Sequence, residues 1–114
     1  ELPLVSKETL MSEALVVMTE KGFGCIGVLN DAKNLVGIIT DGDLRRHMSP
    51  LLLSRRVENV MTSSPKTIFS SSLASEALGF MNRKSITNLF VLEESTGQLV
   101  GLLRLHDCLR EGLA

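Results

Sequence analysis

Gly37-Ile38-Ile39-Thr40-Asp41-Gly42-Asp43-Leu44-Arg45-Arg46 reads as a buried strand running straight into a helix. Ile38 and Ile39 are apolar and β-branched, and Leu35 and Val36 precede them. Thr40 and Asp41 are good helix N-caps, and Asp43 falls in the first turn. Such a junction gathers backbone N–H groups, a hydroxyl and a carboxylate at one spot. The N–H groups can hold a phosphate, and a carboxylate can accept from the two hydroxyls of a ribose. The same residues can equally serve only to cap and polarise the helix.

Upstream, Leu4-Val5 is a short extended entry after Pro3, and Thr9 is expected to cap a helix. Leu10, Ala14, Val17 and Met18 recur at helical spacing as its apolar face. Gly22 ends it. Cys25–Leu29 reads as a buried strand, and Asn30–Asn34 as the turn into Leu35–Thr40. The helix after Thr40 is expected over Asp41–Met48, stopped by Ser49-Pro50.

Downstream the order begins again. Thr67-Ile68-Phe69 is an extended entry, and Ser72 is set to cap a second long helix. Its apolar positions Leu73, Ala77, Phe80 and Met81 lie 63 residues after Leu10, Ala14, Val17 and Met18. The tetrad Ser12-Glu13-Ala14-Leu15 returns unchanged as Ser75-Glu76-Ala77-Leu78. Asn88–Leu92 matches Cys25–Leu29. The turn Glu93–Gln98 is one residue longer than its counterpart, so from Leu99 onward the offset is 64 and Asp107 repeats Asp43.

This duplication fixes the expected fold: α/β (α+β), two tandem repeats of β-α-β-β-α. Each is too small to bury its own faces well. The halves are expected to pack sheet to sheet with pseudo-two-fold symmetry, leaving two clefts lined by the strand-to-helix junctions. Residues 1–48 form the first repeat, 49–64 a linker with a short helical lead-in at Val57–Thr62, and 65–114 the second repeat.

Composition narrows the function. The 114 residues are 44% hydrophobic with net charge −1, which leaves no basic excess for nucleic acid or an acidic membrane surface. Four Phe are the only aromatics, too few for a base-stacking platform. No apolar run approaches a membrane span, and no signal peptide is visible at Glu1-Leu2-Pro3. The absence of an initiator Met suggests a piece of a longer protein. Cys25 and Cys108 read as small core residues of a reducing compartment, and with only His47 and His106 beside them no metal-ligand spacing exists. His106 beside Asp107 makes a poor catalytic dyad, because helical neighbours diverge by about 100°. No catalytic constellation is found. Arg45, Arg46 and Asp41 read as a solvated helix face, with a phosphate contact by one Arg as the functional alternative.

The paired Gly37–Asp43 and Gly101-Leu102-Leu103-Arg104-Leu105-His106-Asp107 junctions resemble those of a CBS-domain pair, or Bateman module. Val57-Glu58-Asn59-Val60-Met61-Thr62 is similar to that family's lead-in to a repeat. More narrowly, Thr40–Arg46 with Leu105–Gly112 resembles the C-terminal region of bacterial arabinose-5-phosphate isomerases of the KpsF/GutQ type. Those proteins carry a sugar-isomerase (SIS) domain ahead of the pair, in the pathway to Kdo, a sugar acid of lipopolysaccharide and capsule.

The resemblance implies a regulatory ligand-binding module of a cytoplasmic Gram-negative enzyme, not itself catalytic, requiring no cofactor and binding a nucleotide. Its pattern puts Thr40 on phosphate or ribose and Asp43 on the ribose diol. In the second repeat Asp107 is kept but Arg104 replaces the hydroxyl residue, which suits a carboxylate or phosphate. Thr62, Thr67 and Thr87 are expected to flank the clefts. A ligand with both a ribose and a carboxylate, such as CMP-Kdo, fits this pair of junctions; an adenosine nucleotide is the family's usual occupant. The resemblance also implies a homodimer through the helices, and a higher oligomer with the SIS domain. The competing reading is a structural dimerisation module that binds nothing.

Overall fold

The structure, a computed structural model, describes residues 2–72 and 74–106, with only the backbone of Ala74. It divides into two compact units, the first ending at Pro65 and the second beginning at Lys66.

Unit 1 is built on a four-stranded sheet in the order β1 (Leu4–Ser6), β2 (Cys25–Leu29), β3 (Leu35–Thr40), β4 (Thr62–Ser63). β1 runs parallel to β2, which forces the crossover made by helix α1 (Met11–Lys21). β3 runs antiparallel to both of its neighbours, β2 and β4. The short helix α2 (Asp41–Arg46) leaves the end of β3 directly. Ile26, Val28 and Ile39 of the sheet pack with Met11, Ala14 and Met18 of α1.

The α1 face is rotated from the one expected. Met11 is fully buried and Leu10 is 41% exposed, so the stripe is Met11, Ala14, Leu15 and Met18. The helix also starts later than a Thr9 cap would allow. The Thr9 hydroxyl instead meets the Ser6 hydroxyl at 3.0 Å, and Leu10 occupies the cap position with no side-chain bond. A distant backbone does the capping: the Met11 N–H donates to the Arg55 carbonyl at 2.8 Å, and the Val57 N–H to the Thr9 carbonyl at 2.8 Å. No local signal encodes that partner.

Residues 49–64, set apart above as a linker, are packed into unit 1. Two single 3₁₀ turns, Leu52–Ser54 and Val57–Asn59, place Leu52, Val57 and Val60 in the core, and Thr62–Ser63 becomes β4. The α2 helix ends at Arg46 rather than Met48. His47 leaves the helical conformation, and its Nδ1 lies 3.1 Å from Arg55 Nη1. Arg55 also donates to the Asn59 carbonyl at 2.9 Å, so this residue ties the connector to the end of α2.

Unit 2 repeats the plan on three strands, β5 (Thr67–Phe69), β6 (Asn88–Leu92) and β7 (Leu99–Arg104), with helix α3 (Ala74–Lys84) between β5 and β6. The register is the same to the residue. Leu4 pairs with Gly27 as Thr67 pairs with Phe90, and the ladder slips at Val28/Leu29 as at Val91/Leu92. Ala77, Leu78, Met81 and Leu89 form the core, with Phe80 packed against it. Leu73, expected on the α3 face, lies outside the described residues. So does the helix expected after β7, apart from Leu105 and His106, which begin a helical turn.

Candidate functional site

The β3–α2 junction of unit 1 is a polar cluster built around one carboxylate. β3 delivers Thr40 in extended conformation, and the helix that follows turns Asp43 back toward it as a capping box. Asp43 is only 2% exposed and is the sole buried charged residue among the described ones. Its Oδ2 accepts from the Thr40 N–H at 2.9 Å and the Thr40 hydroxyl at 3.2 Å. Its Oδ1 accepts from the Thr62 hydroxyl at 2.5 Å and from the Arg46 guanidinium one helical turn on.

An ionised carboxylate offers about four acceptor positions, and donors of this chain take all of them. That is how a buried charge is tolerated: it is paired and fully hydrogen-bonded. The four donors differ in kind. The Thr40 N–H is fixed by the backbone. Thr62 is an exposed residue and the Arg46 side chain is 63% exposed, so these two can turn toward solvent. The carboxylate therefore sits beneath a polar rim whose outer members, Thr62 and Arg46, face solvent.

Of the residues expected at a site, Thr40, Asp43 and Thr62 are brought together in unit 1. Thr62 arrives across 19 residues because β4 pairs with β3, with Ile38 opposite Thr62. Arg46, expected on a solvated helix face, is largely exposed and also grips Asp43; the three-residue spacing on a helix is the signal for that pair. Arg104, Thr67 and Thr87 belong to unit 2. Arg104 ends β7 opposite Asn88 and is half-buried. Thr87 adjoins that second junction, its carbonyl accepting from the Leu105 N–H at 2.8 Å. Thr67 lies one strand away, on β5 opposite Phe90. Asp107 and Cys108 lie outside the described residues. Among those that are described, no three His, Cys, Asp or Glu side chains gather as a metal would need. No helix among them is long and apolar enough to cross a membrane.

Two sheets with the same ladder register, each carrying a Gly-apolar-apolar run on its last long strand, define a tandem-repeat fold. A family model for the CBS domain matches residues 1–50 and again 57–114, and the chain belongs to that family. It is 41% identical over 114 residues to arabinose 5-phosphate isomerase KdsD of Pseudomonas aeruginosa, covering 98% of this chain and 35% of that protein. The chain thus spans about a third of the length of the curated relatives it matches. Its fold superposes on a signal-transduction protein with CBS domains from Burkholderia ambifaria with a TM-score of 0.85 and 27% identity, over 98% of this chain and 82% of that one. It also superposes on CBSX2 in complex with AMP, with a TM-score of 0.81 and 24% identity, over 98% and 87% of the two chains.

Proposed function

We propose that the chain is the regulatory CBS pair of a sugar-phosphate isomerase, an arabinose-5-phosphate isomerase of Kdo, lipopolysaccharide or capsule synthesis. It acts in the cytoplasm of a Gram-negative bacterium and reports a nucleotide or nucleotide-sugar to a catalytic SIS domain. The observation that carries this is the buried Asp43 carboxylate ringed by the Thr40 and Thr62 hydroxyls. A ribose diol would replace the Thr62 hydroxyl and Arg46 on the carboxylate while the Thr40 N–H bond persists. The released Arg46 guanidinium would then be at hand for a phosphate. In the second repeat the Arg104 guanidinium would suit a carboxylate or phosphate such as CMP-Kdo carries, Asp107 would accept from hydroxyls as Asp43 does, and Thr67 and Thr87 would flank them. An adenosine nucleotide is the other candidate, supported by the AMP complex of a protein of like fold.

The filled acceptor set of Asp43 favours a second reading. A carboxylate already satisfied by its own chain serves as a structural cap, and the module would then only hold two subunits together. A thermal-shift panel with AMP, ADP, ATP, CMP, CMP-Kdo, S-adenosylmethionine and arabinose 5-phosphate separates the two. A ligand at about 100 times its dissociation constant stabilises the native state by roughly 2.7 kcal/mol. A shift with one nucleotide class that persists in Thr62→Val and disappears in Asp43→Asn, each compared with its own ligand-free melt, supports the regulatory reading. A flat panel at millimolar ligand, with a dimer in sedimentation, supports the structural one.

A further inference from the structure

Unit 1 brings two guanidinium groups and a hydroxyl to one glycine. The nearest neighbours of a Cβ placed on Gly42 would be Arg46 Nη1 at 3.3 Å, Thr40 Oγ1 at 3.6 Å and Arg45 Nη2 at 4.0 Å. Arg45 and Arg46 are both exposed, and Arg46 also holds the buried Asp43 carboxylate. Arg45 pairs with no carboxylate among the described residues, and Asp41, on the same helix, pairs with neither arginine. Two positive charges thus crowd the space beside Gly42, and the one carboxylate paired with them lies buried. The second repeat does not keep this arrangement. Asp43 and Arg46 recur as Asp107 and Arg110, but Thr40, Gly42 and Arg45 stand where that repeat has Arg104, His106 and Leu109. The carboxylate–arginine spacing is common to both repeats, whereas the glycine beside a second arginine and a hydroxyl is particular to the first.

We propose that Arg46 is an internal competitor for the Asp43 carboxylate, displaced only by a ligand that carries a phosphoryl group as well as a diol. The proposal rests on the regulatory reading above and adds its selection rule: phosphorylated diols enter and unphosphorylated ones do not. A neutral diol would have to take Asp43 from Arg46, trading a charge-assisted hydrogen bond for a weaker neutral one, and would give the guanidinium nothing in return. A phosphoryl group, close to doubly negative at neutral pH, returns that bond. It would accept from Arg46 and Arg45 and from the Thr40 hydroxyl, seated outside Gly42 where no side chain stands. Arg45 offsets the charge that the phosphoryl group adds near Asp43.

The test is titration calorimetry of this chain with AMP against adenosine and CMP against cytidine. In the wild type the preferred nucleotide is expected to bind at least about tenfold more tightly than its nucleoside. In Arg46→Ala the nucleoside is expected to bind more tightly than in the wild type and the nucleotide less tightly, so that the gap closes. Arg45→Ala, which breaks no ion pair, is expected to weaken the nucleotide by about tenfold and leave the nucleoside unchanged. Gly42→Ala is expected to keep the ligand-free melting temperature while weakening the nucleotide, because its methyl fills the space the phosphoryl group needs. These last two variants carry the test if Arg46→Ala does not fold. Nucleoside and nucleotide bound alike by the wild type, or both weakened alike by the arginine variants, overturn the proposal and leave the regulatory reading standing. No heat from any of the four at millimolar concentration, in the wild type and in Arg46→Ala, overturns the proposal and the nucleotide reading together.

Discussion

Unit 1 and unit 2 carry the same ladder, the same register slip and the same crossover helix, yet they are stabilised differently. Unit 1 recruits the connector: Leu52, Val57 and Val60 complete its core, and Thr62 both pairs with β3 and reaches Asp43. Among the described residues, unit 2 relies on Ala77, Leu78, Met81 and Leu89 beneath three strands. The difference teaches that a repeat encodes its β-α-β-β frame locally, while the core of the first is completed by the chain that follows it.

The largest effect is expected at the connector. Val60→Ala removes two buried methyl groups from a residue that is 1% exposed and should cost about 2 kcal/mol in urea denaturation. Unit 1 should loosen first, seen as faster exchange in β2 and β3 with β6 unchanged. Equal loss of protection in both units would erase the distinction drawn here. Asp43→Ala comes next. It withdraws the acceptor from Thr40, Thr62 and Arg46, and a destabilisation of about 1–2 kcal/mol is expected by the same measurement.

A glycine pair sharpens the comparison. Gly37→Ala should cost about 1 kcal/mol, because Met61 must move aside. Gly101→Ala should be neutral or slightly stabilising, because its methyl meets only ordinary contact and Ala loses less backbone entropy than Gly. A pair of melts reads both. A smaller contrast involves left-handed backbone. Unit 1 places glycine at the α1 end, Gly22, and a lysine at the turn, Lys33; unit 2 places Ser85 at the helix end and Gly97 at the turn. Each non-glycine residue there has a positive φ, so Lys33→Gly and Ser85→Gly should each stabilise by about 0.5 kcal/mol.

The smallest effect is a pH dependence confined to one hairpin. Asn30 and Glu93 hold equivalent turns: the Asn30 Oδ1 accepts from the Ala32 and Asn34 N–H groups, and the Glu93 Oε1 from Ser95 and Thr96. The Ser95 hydroxyl first, then the Thr96 hydroxyl and N–H, hold the Glu93 carboxyl below the usual glutamate range. Its contribution is present above the unfolded pKa and is lost as pH falls through the depressed folded value. On acidification below about pH 4, the Thr96 amide resonance should move and the Glu93–Gln98 turn loosen. Asn30 carries no charge to lose, so the unit 1 turn should stay fixed. A titration in which both turns respond alike would remove the contrast.

The elements most legible in the chain were those whose signals are local. Cys25–Leu29, Leu35–Thr40 and Asn88–Leu92 stand where their apolar runs between turn residues put them, and Gly22 ends α1 in left-handed conformation as a glycine there should. The spacing of Thr40 and Asp43 was likewise enough to bring hydroxyl and carboxylate together in a capping box. Helix phase was less legible. With apolar residues at both positions 10 and 11, periodicity alone did not say which would face the sheet; the β-bridge of Leu10 to Arg56 turned Leu10 outward and Met11 in.

By itself, then, the sequence determined the duplication, the β-α-β-β frame of each repeat and the β3–α2 junction, because periodicity, turn chemistry and the 63-residue offset act over a few residues or recur in full. Only the tertiary structure decided that the Arg55 carbonyl caps α1, that Leu52 joins the core, and that Thr62 closes over Asp43. Those outcomes depend on backbone groups and side chains far apart in the chain. Such partners carry no sequence signature; they are chosen by which buried N–H, carbonyl or carboxylate must be satisfied once the sheet has formed.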